Sequence, residues 1–510
     1  WSHWFLFPPL PKSLGGHVEA QAGDHQVARH GTAPNRSAGT RNHRQEGELA
    51  AVPAEPTGPR GAPLGRPMNG KDRRTTELGL ILLGLVIIGA AYTLASLGSR
   101  ASLPADVVPF LAMVVALVIV AHIAVRRLAP NADGIILPVV ALLNGLGYVF
   151  IARIDQDLAI KQAGWTAVGV VAFVATLALV RKVKTLANYG YTLLFIGLGL
   201  LLLPLLPVVG KEINGARIWI NLGGFSVQPA EFAKIALILF FATYLVKNRE
   251  LLGLTNWRLG PLHLPAPKFL APVILAWGVA LLVMIAQKDL GSALLFFVLF
   301  LSMMWIATER LIYPVMGGLL FAAGATIAWS QLGHVQDRVT AWLNPWDVAG
   351  GSGYQIVQGT YALAWGGMGG QGLGRGYGIP GLGKAFVATD SIFVVIGEEL
   401  GVFGSTAVLA AFLLIAGAGF RIAMRADDPY HKLLAAGLTV SLTFQAFVIM
   451  GGLLRVLPLT GITLPFLSYG GSSLVANYVL VALLIRTSDE VYDRSDGAAR
   501  RSRVRIGVGQ

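Results

Sequence analysis

From Leu78 to about residue 486 the chain alternates long apolar runs with short polar breaks. Most runs are about 17 to 21 residues, close to the length an α-helix needs to cross a bilayer. They fall near 78–97, 107–125, 135–152, 163–180, 190–209, 229–246, 270–287, 290–307, 311–330, 391–419, 433–453 and 472–486. The pattern predicts an all-α polytopic membrane protein with about twelve transmembrane helices. Basic residues test that count, because Lys and Arg concentrate in cytoplasmic loops. Arg126 and Arg127, then Arg181, Lys182 and Lys184, then Lys247, Arg249, Arg258 and Lys268, then Arg310, then Arg421, Arg425 and Lys432 all fall on one side with both termini. One missed or invented helix would break the alternation, so both termini are predicted to be cytoplasmic. The opposite side receives 210–228, the break at Lys288, 331–390 and 454–471.

Composition agrees with this class. Hydrophobic residues make up 54% and charged residues 13%, against about 25% charged in a soluble chain. The net charge of +13 is accounted for by loop residues that set orientation, so it argues for topology and not for nucleic acid. There is no cysteine, which excludes disulfides, thiolate nucleophiles and Cys-bound metals. Residues 1–70 are rich in Pro, Gly, His and Arg and too poor in apolar residues to fold. They are expected to be a disordered cytoplasmic tail or an over-extended gene start, since Met68 stands just before Lys71, Arg73 and Arg74. Residues 71–490 then form the transmembrane domain, with a large extracytoplasmic loop at 331–390, and 491–510 a basic cytoplasmic tail.

The chemistry gathers at the apolar boundaries on the extracytoplasmic side. KAFVATDSIFVVIGEEL, Lys384 to Leu400, places Asp390 at the last polar step before a span and Glu398 and Glu399 about two turns inside it. Acids in such places are expensive to bury, which marks Asp390 as the reaction centre. The two glutamates are expected to stabilise the N-terminal part of their helix. In GARIWINLGGFSVQPAEFAK, Pro229 suits a first helical turn, and Glu231 and Lys234 follow as an i,i+3 ion pair that serves structure or holds a third charge. Gln287-Lys288-Asp289 interrupts an apolar run, and irregular backbone at that depth lines protein or a water-filled cavity. The long loop carries an amphipathic segment with Trp342 and Trp346, then Tyr354, Gln355 and Gln358 among glycines, which suits a groove for an amphiphilic substrate. RVLPLTGITLPFLSYGGSS, Arg455 to Ser473, breaks the helix with two prolines and offers the hydroxyls of Ser468, Tyr469, Ser472 and Ser473. Such a broken helix equally suits a transporter. No glycine-rich phosphate loop and no HExxH helix is present, so ATPase and zinc-protease readings fail.

Taken in order, QPAEFAK, QKDLG, NPWD with GSGYQ, ATDSIF with GEELG, and LPLTGITLPFLSYGGSS resemble the SEDS family, the RodA and FtsW cell-wall polymerases, over about residues 140–487. The two extra N-terminal spans and the phrase ILPVVALLNGLGYVF look like the actinobacterial RodA branch. The resemblance implies an enzyme of the cytoplasmic membrane that joins lipid II units into glycan strands outside the cytoplasm, by inverting transfer with release of undecaprenyl pyrophosphate. It implies a role in elongation, the division-type FtsW and a lipid II flippase being the alternatives. Asp390 matches the family's essential acid, although Ser391 follows where the family has Phe, and Lys288 stands in place of the Pro of QPDLG. Asp390 is then the base, with Glu231 holding Lys234 and Lys234 orienting Asp390. Arg217, Lys234, Arg338 and Arg455 are candidates for the pyrophosphate, and Gln228, Tyr354, Gln355, Ser468 and Ser472 for substrate contacts. The partner implied is a single-span class B penicillin-binding protein, besides lipid II, the growing strand and membrane lipids. No metal-ligand set is read in the chain. A divalent cation, Mg or Mn, on the pyrophosphate stays open, with Asp337 and Asp347 as oxygen donors ten residues apart.

Overall fold

The computed structural model describes residues 70–507 apart from 102–106, 208, 214–215, 224, 254–256, 260–261, 265–266 and 378–381. The expected N-terminal tail therefore lies outside the described residues. Those described belong to one compact unit, Pro67–Gln510.

The apolar runs fold into helices in the order the pattern predicts: α1 (Gly70–Arg100), α2 (Val107–Leu128), α3 (Ile136–Ile154), α4 (Gln156–Leu179), α5 (Gly190–Leu202), α6 (Ala230–Gly253), α7 (Pro267–Ala286), α8 (Leu290–Thr308) and α9 (Ile312–Gln331). The long loop adds α10 (Gly333–Leu343), α11 (Tyr354–Gly366) and α12 (Lys384–Asp390), followed by α13 (Ile392–Arg425), α14 (Pro429–Leu453) and α15 (Gly471–Gly507). The chain is a multi-pass membrane protein. Among the described residues ten helices are long and apolar enough to cross a membrane. Of the two other predicted spans, α7 offers the shorter apolar stretch Ala271–Ala286, and α6 carries Glu231, Lys234, Lys247, Arg249 and Glu250 in or beside its apolar run.

The polar segments between the spans carry structure that the apolar pattern does not show. Residues 210–228 are not a plain loop but an antiparallel sheet of β1 (Gly210–Ile213), β2 (Ala216–Leu222) and β3 (Phe225–Val227), with Lys211 opposite Trp219 and Asn221 opposite Ser226. A hairpin of β4 (Trp257–Leu259) and β5 (Leu262–Leu264) follows α6. α15 runs unbroken from the last span to Gly507, through most of the basic segment 491–510. Its first polar residues beyond the apolar run are anchored. Ser488 accepts from Asp133 N at 2.8 Å, Asp489 accepts from Asn131 N at 2.8 Å, and Tyr492 is buried.

The core lies where the most buried spans meet. In α14 and α15 about four-fifths of the span is buried, 78% and 83%, whereas in α9 the share is 11%. α15 packs on α4, α13 on α14, and α11 on α13. The helix of the long loop is thereby set directly against the helix that follows Asp390.

Candidate active site

Asp390 is the last residue of α12, and Ser391 separates it from α13. Carbonyls at a helix end need partners from elsewhere, and here the 454–471 segment supplies them. Ser468 Oγ donates to the Thr389 carbonyl at 2.5 Å and Tyr469 N to the Ala388 carbonyl at 2.9 Å. Ser468 Oγ also accepts from Leu464 N at 3.0 Å. On the other side Gln355 Nε2, from α11, donates to Ser391 Oγ at 3.0 Å, and Ser391 is fully buried. Phe466 takes a left-handed φ of 65° in this segment and is held there against Tyr478, ring centroids 5.4 Å apart. A non-glycine residue keeps such a conformation only where its surroundings impose it. Two segments remote in the chain thus fix the backbone that carries the acid.

The electrostatics follow from that position. Burial pushes the Asp390 carboxyl up to about 6, against the opposing pull of the Thr389 hydroxyl and the Arg338 charge. Arg338, on α10, donates through Nη1 to the carbonyls of Leu459 and Thr460, both at 3.1 Å. Burial lowers its pKa while Asp289 and Asp390 pull it upward, and the guanidinium stays charged. Asp289 caps α8, accepting from Ser292 N at 3.0 Å, and lies 3.5 Å from Gln228 Nε2. Burial raises its pKa as well. Gly291 explains why the break sits against the 459–462 segment: a Cβ there would lie 2.9 Å from the Thr460 carbonyl. Asp289 is the acid of this constellation that reading the sequence left out of the candidate site, and its signal was the polar break already visible in QKDLG.

The other expected residues divide. Gln228, Arg338, Gln355 and Ser468 join this constellation, but Ser468 commits its hydroxyl to Thr389 and Leu464 and is 4% exposed. It positions Asp390 and is not shaped to meet substrate. Ser472 is buried near the start of α15, and Tyr354 is half-buried at the start of α11. Glu231 and Lys234 form the expected pair at 2.5 Å. The expected step from Lys234 to Asp390 is absent, because Lys234 Nζ also donates to Gln445 Oε1 at 2.8 Å and Asn477 Oδ1 at 3.2 Å. An ammonium has three protons, and these three acceptors take them. Arg217, on β2, turns to the carbonyls of Leu206 and Pro207 at 3.5 and 3.4 Å. Arg455 donates to the carbonyls of Trp342 and Leu343 at 3.2 and 3.3 Å and lies 4.8 Å from the Trp346 ring centroid. Trp342 Nε1 returns a bond to the Arg455 carbonyl at 3.0 Å, so this arginine clamps α10 to the 454–471 segment.

Glu398 and Glu399 do not stabilise a helix start. α13 breaks at Gly401 (φ 65°, ψ −159°), a conformation open to glycine, so both acids stand at the C-terminal end of its first half. There the helix dipole opposes them, and other groups compensate. Tyr377 N donates to Glu398 at 2.6 Å, Gly374 N to Glu399 at 2.8 Å, and Arg153 pairs with Glu399 at 2.5 Å. They latch the end of the long loop to the kink. Asp337 and Asp347 are both exposed, and among the described residues no three His, Asp or Glu side chains gather as a metal-binding set.

A half-buried acid on a pinned backbone, under the influence of a fixed cation, is an arrangement suited to acid–base chemistry. Residues 134–493 match the family of FtsW, RodA and SpoVE, described as "Cell cycle protein", and the chain belongs to that family. Over 427 residues it is 43% identical to peptidoglycan glycosyltransferase RodA of Mycobacterium tuberculosis, covering 82% of this chain and 90% of that protein. It is 35% identical over 367 residues to the probable peptidoglycan glycosyltransferase FtsW of the same organism, covering 69% and 66%. A solved chain from work on the structural coordination of polymerization and crosslinking by a peptidoglycan synthase complex superposes with a TM-score of 0.57 at 26% identity, covering 71% of this chain and 98% of that one.

Proposed function

We propose that this protein is a peptidoglycan glycosyltransferase that polymerises lipid II into glycan strands, with Asp390 as its base. The observation that carries the assignment of the base is a carboxyl held near pKa 6 in a partly dry position, beside Arg338 and on a backbone pinned by Ser468, Tyr469 and Gln355. A base works best when its pKa lies near the working pH. Asp390 accepts the proton of the acceptor sugar hydroxyl as that oxygen bonds to the anomeric carbon of the donor. The bond from that carbon to the diphosphate oxygen breaks, its electron pair leaves with undecaprenyl pyrophosphate, and the configuration inverts. Arg338 faces the negative charge that develops on the leaving group.

The basic loops support twelve spans with both termini in the cytoplasm, which puts α10, α11, α12 and Asp390 on the outer side of the cytoplasmic membrane. Higher identity to the RodA relative than to the FtsW relative, 43% against 35%, favours cell elongation over division. A single-span class B penicillin-binding protein is the proposed partner, supported by the likeness to a chain of a synthase complex. The test is glycan-strand formation from purified lipid II with that partner, comparing wild type with Asp390→Asn. Polymer from the wild type and none from a folded variant supports the reading. Full polymerisation by the variant removes Asp390 from the mechanism, and lipid II crossing vesicles without polymer from either would make the protein a flippase.

A further inference from the structure

Lys288 interrupts the apolar stretch between α7 and α8 with its backbone in the left-handed region, φ 61°, and its side chain exposed. The proline of the family motif is locked near φ ≈ −65° and could not take this conformation. The break is therefore built differently here, and it presents an ammonium. His334 and Arg338 lie four residues apart on α10, so they share one helix face. Of the Arg338 guanidinium only Nη1 is engaged, by Leu459 and Thr460, which leaves Nε and Nη2 without partners among the described residues and in fork geometry for an anion. His334 Nε2 is buried with no hydrogen-bond partner among the described residues. That nitrogen is free to exchange a hydrogen bond with a ligand.

We infer that Lys288, His334 and Arg338 together bind the diphosphate of a lipid-linked glycan, an inference that rests on the glycosyltransferase reading above. The electrostatics agree. Burial and the neighbouring charges of Arg338 and Lys288 hold the His334 imidazole below its ordinary value, with Asp337 pulling the other way. It is neutral when the site is free and takes up a proton when a dianion arrives. The acids facing Arg338, Asp289 and Asp390, are both shifted by burial toward their neutral forms, which reduces their repulsion of the anion.

The test titrates full-length protein in phosphatidylcholine nanodiscs with a polyprenyl diphosphate, and in parallel with the monophosphate. Lys288→Gly removes the ammonium but keeps the left-handed backbone accessible, and Lys288→Arg restores a charge. Lys288→Gly and His334→Gln are each expected to weaken diphosphate binding about tenfold and monophosphate binding about twofold, with Lys288→Arg close to wild type. The pH series uses Asp390→Asn protein, so that the Asp390 carboxyl, held at about 6, does not contribute. There diphosphate affinity rises as pH falls from about 8 to about 6, and His334→Gln flattens the rise. Unchanged affinity in both variants overturns the inference. So does displacement of the diphosphate by phosphatidylglycerol, which would assign the cations to phospholipid headgroups. The two readings fail separately: glycan synthesis by protein whose diphosphate binding ignores Lys288 and His334 keeps the enzyme and removes this site.

Discussion

Asp390→Asn separates desolvation from chemistry, because it keeps the shape of the side chain while removing its charge. A carboxyl with an ordinary value of 3.8 is held at about 6. The native state therefore binds the proton more tightly than the unfolded chain, and stability falls as pH rises through that interval. The gap of roughly two pH units, at about 1.36 kcal/mol per unit, corresponds to an upper limit of about 3 kcal/mol. Water reaching the half-buried side chain reduces this to about 1–2 kcal/mol. Asp390→Asn should accordingly raise Tm by about 2–5 °C at pH 7.5 and leave it nearly unchanged near pH 3, below both values, where wild-type Asp390 is protonated in the native state and largely so in the unfolded one. Thermal unfolding of nanodisc-embedded protein followed by tryptophan fluorescence reads this directly. The same carboxyl should give glycan synthesis by the wild type an acid limb that rises through about pH 6. An equal Tm difference at both pH values would refute the reasoning, since it would mean that Asp390 is solvated like any surface acid.

Two more substitutions probe what surrounds the acid. Ser468→Ala takes away the partner of both Thr389 O and Leu464 N, costing about 1–3 kcal/mol, and should slow polymerisation by about 10- to 100-fold through loss of alignment. Ser468→Thr, which keeps the hydroxyl, should recover much of the rate, and a full rate in a destabilised Ser468→Ala protein would separate this serine from the site. Lys234→Met leaves Glu231 buried opposite an apolar group and should cost about 3–5 kcal/mol. Adding Glu231→Gln should return most of that stability in thermal unfolding, and a single variant as stable as the wild type would show that the pair is not held by charge.

Local spacing was sufficient to place the helices and the Glu231–Lys234 pair, since apolar length selects the span and a three-residue interval selects the helix face. It also marked Asp390, because an acid at the edge of a span stands out against the cost of burying it. It could not reveal where Lys234 directs its other protons, for Gln445 and Asn477 lie 211 and 243 residues away. Nor could it tell that Ser468 serves Thr389 rather than substrate, that Arg455 clamps Trp342 and Trp346, or that Glu398 and Glu399 close the end of a half-helix kinked at Gly401. A side chain's hydrogen-bonding capacity is written in its residue type. Which partner consumes that capacity is decided only when remote segments pack together, and in this protein that packing determines which of the candidate cations remain available to a ligand.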